Sequence, residues 1–454
     1  MKSIEQRRPD SIQQRRPDAI LSAVFPILVV FLFAVFTGLP EFTPVVRDLR
    51  PLFFIGALGL LAVGVTGRFM KVVSSPIGKA LTLFTVWFII CIPLAIWRGG
   101  SLVIFEDYWS KSFLAFVLTA GLISTAAESK KIFHTIAYGV GLLGTMALVL
   151  HRYSEDGRLS MPGGRYSNSN DLAWTLLVGL IFLAYLFLQG GGTRKVIAVG
   201  FAFPVLLALS RTGSRALLIG AAVLFLYVFF RSSGATRAKM IVAVPILLVG
   251  LVMMMPKQLR DRYTTLFEKK DPSQLTASEI DASGSSDARL ELLLDSITLT
   301  LNHPFFGVGP GNFQVAQNGL AIQRGEPYGL WHVTHNTYTE LSSEMGITGL
   351  LIYVAFLVQC WRVLSSIIRK KYVTKDVRVM AKTLQAAFLV MVTVAFFESF
   401  GYDVNIPIVA GLITALSFIA RDQRPPQDLR EKIEEPPAQL PEPEYEPAWS
   451  GRLY

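Results

Sequence analysis

The stretch AILSAVFPILVVFLFAVFTGL, residues 19–39, decides the fold. It carries no charge from end to end, and its apolar residues run continuously instead of alternating. A helix of that length crosses the hydrocarbon core of a bilayer. The run follows a basic stretch, but it is longer than a signal h-region and ends in no clear small-residue cleavage site. It is therefore expected to be retained as a first span.

Working outward, similar runs recur at residues 20–38, 51–67, 79–97, 110–127, 132–151, 171–189, 195–210, 214–230, 239–255, 346–365, 380–398 and 403–420. That makes about twelve stretches of roughly 17–25 apolar residues, the length a spanning helix needs. Bare peptide groups find no water in lipid, so helices are expected and a barrel is not. The expectation is an all-α integral membrane protein. Composition agrees: of 454 residues 52% are hydrophobic and 17% charged, with mean hydropathy +0.46, too apolar for a soluble chain of this length.

The formal charge of +10 is not gathered into an aromatic-laced groove. It sits in short clusters between apolar runs, which argues for a membrane lipid setting and against nucleic acid as a partner. With the N-terminus placed in the cytoplasm, Arg7, Arg8, Arg15, Arg16, Arg68, Lys71, Lys130, Lys131, Arg194, Lys195, Arg231, Arg237 and Arg369 to Lys371 all collect on that side. Both termini are then cytoplasmic, and the opposite face holds 39–50, 98–109, 152–170, 211–213, 256–345 and 399–402. The expected organisation is a disordered segment 1–18 containing the tandem SIEQRRPD and SIQQRRPD, spans over 19–255, an outer loop domain 256–345, spans over 346–420, and a disordered Pro- and Glu-rich tail 421–454. The loop of about 90 residues between the ninth and tenth spans is long enough to be functional. Within it, residues 288–301 read as an amphipathic helix. Cys91 and Cys360 both fall inside apolar runs, where packed free thiols are expected.

Three stretches carry candidate chemistry. In SRTGSRALLIG, residues 210–220, Arg211 and Arg215 lie four apart at an outer helix mouth and would share one face of a helix. Long cations snorkel to an interface; guanidinium forks also match phosphate oxygens. In ARLELLLDSITLTLNHPFFGVGPGNF, residues 288–313, Arg289 opens a helix and the segment 307–311 forms a glycine-rich turn. Such a turn is either structural or an anion cradle of backbone N–H groups. In HNTYTELSSEMGITG, residues 335–349, His335 stands at the start of a span. It is either a satisfied structural residue or a general base, with Glu340 and Glu344 orienting it or facing water. The acidic pairs Glu106-Asp107 and Glu155-Asp156 lack further ligands, so no metal site is expected. No phosphate-binding loop of the G-x-x-x-x-G-K type and no G-x-S-x-G elbow occurs.

Together these stretches resemble the O-antigen ligase and Wzy-type polymerase superfamily over roughly residues 20–420. The H-[NSQ]-x9-G-x-x-[GTY] motif reads His335, Asn336, Gly346 and Gly349. The SR-x-x-x-aliphatic element reads Ser214 to Ile219, with Ile219 where the family usually has leucine. Arg289, His303-Pro304 and the run from Gly307 to Phe313 match a third element, and Ser169-Asn170-Asp171 is similar to the family's Asn-rich start of a middle helix. The resemblance implies a GT-C-like fold in a bacterial inner membrane. It also implies transfer of a glycan from undecaprenyl pyrophosphate to an acceptor hydroxyl on the periplasmic face, with no cofactor or required metal. Arg215 and Arg289, with Arg211, would neutralise the leaving pyrophosphate and His335 would accept the hydroxyl proton; Asn170, Asn336, Gly309 and Asn312 would bind substrate. The acceptor is expected to be lipid A core, as in a ligase. A second lipid-linked repeat, as in a polymerase, and a protein hydroxyl are the alternatives. A transporter would instead place ionisable groups near mid-membrane; here the arginines and histidine collect at one mouth.

Overall fold

The computed structural model describes residues 15–42, 51–154, 157–264 and 277–423. The tandem repeat up to residue 14, the tail from 424 and the pair Glu155-Asp156 lie outside them. The described chain is helical apart from one short hairpin, Arg152–Tyr153 paired antiparallel with Leu159–Ser160. In order, the main helices are α1 (Arg15–Thr37), α2 (Pro51–Val65), α3 (Pro76–Cys91), α4 (Ser110–Leu122), α5 (Ala126–Val149), α6 (Ser169–Gln189), α7 (Gly192–Arg211) and α8 (Arg215–Arg231). There follow α9 (Gly234–Met253), α10 (Lys257–Thr264), α11 (Ala277–Asn302), α12 (Phe313–Gln323), α13 (Thr337–Arg369), α14 (Lys375–Val394) and α15 (Asn405–Asp422).

Every apolar run noted above falls on a helix. Nine helices among the described residues are long and apolar enough to cross a membrane, and these make the chain a multi-pass membrane protein. The expected runs at 51–67, 110–127 and 214–230 form shorter helices of 15, 13 and 17 residues. The second of these runs is cut at its far end, where residues 123–125 leave the helix and Thr125 caps α5. At its near end α4 continues a rod that begins at Arg98–Ile104 and passes through a π-helical turn, Phe105–Trp109.

Sequence explains the helix ends. Ser75 accepts from the Gly78 amide ahead of Pro76 at the first turn of α3. Thr125 and Glu128 form a capping box at α5, and Asn168 caps α6. Each satisfies amides that would otherwise be left bare. At the far end of α4, the Arg68 guanidinium reaches the Gly121 and Ile123 carbonyls at 3.4 and 3.3 Å.

The bundle is organised around α15, 83% of whose span is buried and which packs on α4; α9 lies at the rim with none of its span buried. Helix α5 packs against α1, α6 and α7, α3 against α13, and α8 against α14. Small residues set the close approaches: a Cβ on Gly179 of α6 would sit 2.0 Å from Val140 of α5. The segment between α9 and α13 has its own apolar cluster, Leu292, Leu299, Val308, Phe313 and Ala316. Arg324 ties it together, reaching Asp295, Glu326 (2.7 Å) and Glu291 (3.4 Å). The amphipathic helix expected at 288–301 is present but longer: α11 buries Leu292 and Leu299 and exposes Leu290, Leu294, Ile297 and Leu301.

Candidate functional site

His335 immediately precedes α13 and holds a left-handed backbone, φ 51°. It and Trp331 are the only non-glycine residues at positive φ among the described residues, a conformation costing an L-residue roughly 1–2 kcal/mol. Such strain persists only where the surroundings over-determine it. Here Asn336 caps α13, its side-chain oxygen accepting from the amides of Tyr338 (2.9 Å) and Thr339 (3.2 Å). Thr337 staples the same turn to the loop after α14: its amide donates to Ala395 O (2.8 Å), its hydroxyl donates to Glu398 O (2.7 Å) and accepts from the Phe400 amide (2.8 Å).

That stapling brings a carboxylate to the histidine. Nδ1 of His335 lies 3.9 Å from Oε2 of Glu398, whose residue is 4% exposed. Nδ1 of His335 and Oε1 of Glu398 are both buried without a hydrogen-bond partner. A small approach makes a charge-assisted hydrogen bond between them, and catalytic contacts are often long before substrate binds.

Glu340 and Glu344 do something else. Both are buried, and among the described residues no hydrogen bond or ion pair joins either to His335. Glu340 accepts from the Gly401 amide at 3.0 Å. Glu344 accepts from the amides of Gly311 (2.7 Å) and Phe313 (3.1 Å) and from the Tyr402 hydroxyl (2.6 Å). The glycine-rich turn is thus an anion cradle, and the anion is the protein's own carboxylate. Gly309 donates its amide to the Glu344 carbonyl (2.9 Å), while the Asn312 side chain, fully buried, donates to Trp97 O and Ser101 Oγ. Both residues hold the turn in place, and Asn312 Oδ1 is buried without a hydrogen-bond partner.

The motif glycines follow from the same packing. Gly346 (φ 71°) breaks α13, and a Cβ there would lie 2.1 Å from the Phe305 carbonyl oxygen. On Gly307 (φ 67°) it would lie 2.2 Å from the Glu344 backbone. The segments around His303-Pro304 and Gly346 are zipped backbone to backbone by Val308 N to Ser343 O and Ile347 N to Pro304 O, each 2.8 Å.

The arginines gather differently from the sequence expectation. Arg211 ends α7 and Arg215 begins α8, with a turn at Gly213 (φ 61°) between them; it is the turn, not one helical face, that keeps them close. Arg211 Nη1 donates to the Tyr153 hydroxyl at 3.2 Å, and its Nε is buried without a partner. Arg215 Nη2 donates to Ser286 Oγ at 3.0 Å. Ser286 lies three residues before Arg289 on α11, so Arg215 and Arg289 come within one helical turn of a shared residue. Arg289 is half-buried and has no hydrogen-bond or ion-pair partner among the described residues. A further arginine, Arg158, joins from the hairpin loop: Nε donates to Thr212 O (2.8 Å) and Nη2 to the Asn170 side chain.

Asn170 and its neighbour Asp171 link the two groups. Asp171 is close enough to Arg165, Glu398 and Asp403 for their charges to interact, and Arg165 pairs with Asp403 while lying over the Trp174 ring (5.3 Å). Burial works against the Arg165 charge, but Asp403, with Tyr166 and Asp171, outweighs it and holds the guanidinium above its ordinary range. The first turn of α6 therefore stands between an arginine cluster on one side and the His335–Glu398 pair on the other. Sequence reading missed Arg158, Arg165, Glu398 and Asp403. The available signals were several arginines in one short outer loop and a glutamate inside the apolar FFESF, residues 396–400.

Fold and site together define a multi-pass membrane protein with cationic and histidine chemistry at one end of its helices. Residues 198–354, about a third of the chain, match the family model described as O-Antigen ligase. No curated protein matches the chain. The matched range contains Arg211, Arg215, Arg289, Gly309, Asn312, His335 and Asn336, whereas Arg158, Arg165, Asn170, Asp171, Glu398 and Asp403 are supplied by chain outside it.

Proposed function

We propose that this chain is a ligase-like membrane glycosyltransferase that moves a glycan from undecaprenyl pyrophosphate to a hydroxyl of lipid A core, at the periplasmic mouth of the bundle in a bacterial inner membrane. The observation that carries the reading is the placement of the arginine cluster and the His335–Glu398 pair on the two sides of one helix turn. In this mechanism the acceptor hydroxyl gives its proton to His335 as its oxygen attacks the anomeric carbon. The bond from that carbon to the pyrophosphate breaks, and the departing oxygen keeps the electron pair. Arg211, Arg215 and Arg289 stabilise the charge that develops there, and Glu398 stabilises the imidazolium. A single displacement inverts the anomeric centre.

Purified protein in detergent, given undecaprenyl-pyrophosphate-linked oligosaccharide with lipid A core and a second lipid-linked repeat as competing acceptors, tests this. EDTA is present and His335→Ala is the control. Product on lipid A core, absent with His335→Ala, is the expected result. Lengthened lipid-linked chains make the protein a polymerase instead, and no product from either acceptor removes the transferase reading.

A further inference from the structure

Trp331 is a bulky aromatic at φ 54° with 53% of its surface exposed. A large indole ordinarily gains from burial and avoids a left-handed backbone, so its display needs a reason. The segment holding it is fixed from below. Gln314 donates to the Trp331 carbonyl (3.3 Å), Leu330 N donates to Gln317 (2.9 Å), Gly329 N to Asn318 (2.9 Å), and Thr334 Oγ1 contacts Ser399 Oγ (3.0 Å). Val333 and Thr334 of this segment line a cavity of about 110 Å³ whose wall is mostly apolar, with Ile104 and Phe313, and which also takes in Gln314, Glu340 and Glu344. That is room for water or for the hydroxyl-bearing edge of a sugar, and too little for a whole ring.

We infer that Trp331 is the platform on which a sugar ring of the acceptor glycan stacks, with the hydroxyl edge of that ring towards the polar groups of Gln314 and Thr334 at the neighbouring cavity. A pyranose has one apolar C–H face and a rim of hydroxyls. It is recognised by an aromatic face, whose negative π cloud attracts the C–H groups, set beside hydrogen-bonding groups, and both are present here. Trp331 lies four residues from His335, at most about 14 Å along the chain, so one oligosaccharide reaches platform and base together. The inference rests on the reading of His335 as the group that deprotonates the acceptor.

The full-length protein is titrated with lipid-free core oligosaccharide while tryptophan emission is followed, and transfer kinetics are measured for Trp331→Ala and Trp331→Phe. Wild type is expected to give a saturable emission change that both variants lose. Trp331→Ala is expected to raise the acceptor KM about tenfold with kcat and donor KM unchanged, while Trp331→Phe, which keeps an aromatic face, stays within a few-fold of wild type. An unchanged acceptor KM in Trp331→Ala overturns the inference. So does an identical emission response in all three proteins, which would leave Trp331 as a ring anchoring the module at the membrane interface. If wild type transfers nothing, the proposed function falls, and the emission titration alone decides the role of Trp331.

Discussion

Glu398 is the residue whose role is most directly exposed to measurement. Among the described residues its carboxylate has no ion-pair partner beyond the neighbouring histidine, and it lies in a protein interior where an unpaired charge is costly. Glu398→Gln keeps shape and volume but cannot stabilise an imidazolium, so kcat is expected to fall about 100-fold, within the range of general-base effects, with acceptor KM nearly unchanged. Steady-state kinetics check this, and a partial recovery in Glu398→Asp separates charge from packing. Arg215→Lys keeps the charge and loses the fork. If the arginines grip a pyrophosphate in bidentate fashion, kcat/KM should drop by about tenfold or more despite the unchanged charge. A lysine that works as well as the arginine would show that charge alone matters there. His335 was singled out in the sequence by the H-[NSQ]-x9-G-x-x-[GTY] motif. Glu398 was not, because the sequence gives no hint that Thr337 would staple residues 395–400 against the histidine turn.

At the scale of elements, the clearest feature is the seam between the Gly307 turn and the break in α13. Gly346→Ala forces a side chain onto the Phe305 carbonyl at an unfavourable φ. A loss of about 3 kcal/mol is expected, read as a lower melting temperature in detergent together with lost activity. Gly319 in α12 is the matched control, since a Cβ there meets nothing within 4 Å. Gly319→Ala is expected to stabilise the helix by up to about 1 kcal/mol. These elements show what sequence delivers and what it withholds. Apolar runs and capping residues located the helices, because lipid leaves the backbone few options. The span expected from residue 346 coincides with the part of α13 beyond its break at Gly346; hydropathy did not give the helical stretch before the break, which starts at Thr337 under the Asn336 cap. Buried Glu340 and Glu344 look hydrophilic in sequence and become internal only through the amides and hydroxyl that receive them.

For the whole molecule, the distribution of basic residues predicts which end of the bundle faces which compartment. Cys91 and Cys360 are free and buried, so the native chain offers a quiet background for single-cysteine labelling. Gly192 and Gly319 both have open space where a side chain would go. A membrane-impermeant maleimide added to spheroplasts is expected to modify Gly319→Cys readily and Gly192→Cys only after the membrane is opened; the reverse pattern would invert the proposed topology. The all-α membrane class was readable at this scale from hydropathy, although nine helices among the described residues, not about twelve, are long and apolar enough to cross a membrane. The pairings of Arg158 with Asn170 and of His335 with Glu398 were not readable, since long-range packing decides them. One consequence follows from Asn170 and Asp171 being adjacent on α6. Successive helical residues point about 100° apart, so the arm towards the arginines and the arm towards the acid and histidine groups are set like two spokes on one axle. A single alanine inserted in that first turn would throw the spokes out of phase without removing any charged group, and donor grip and proton removal would then lose their shared timing.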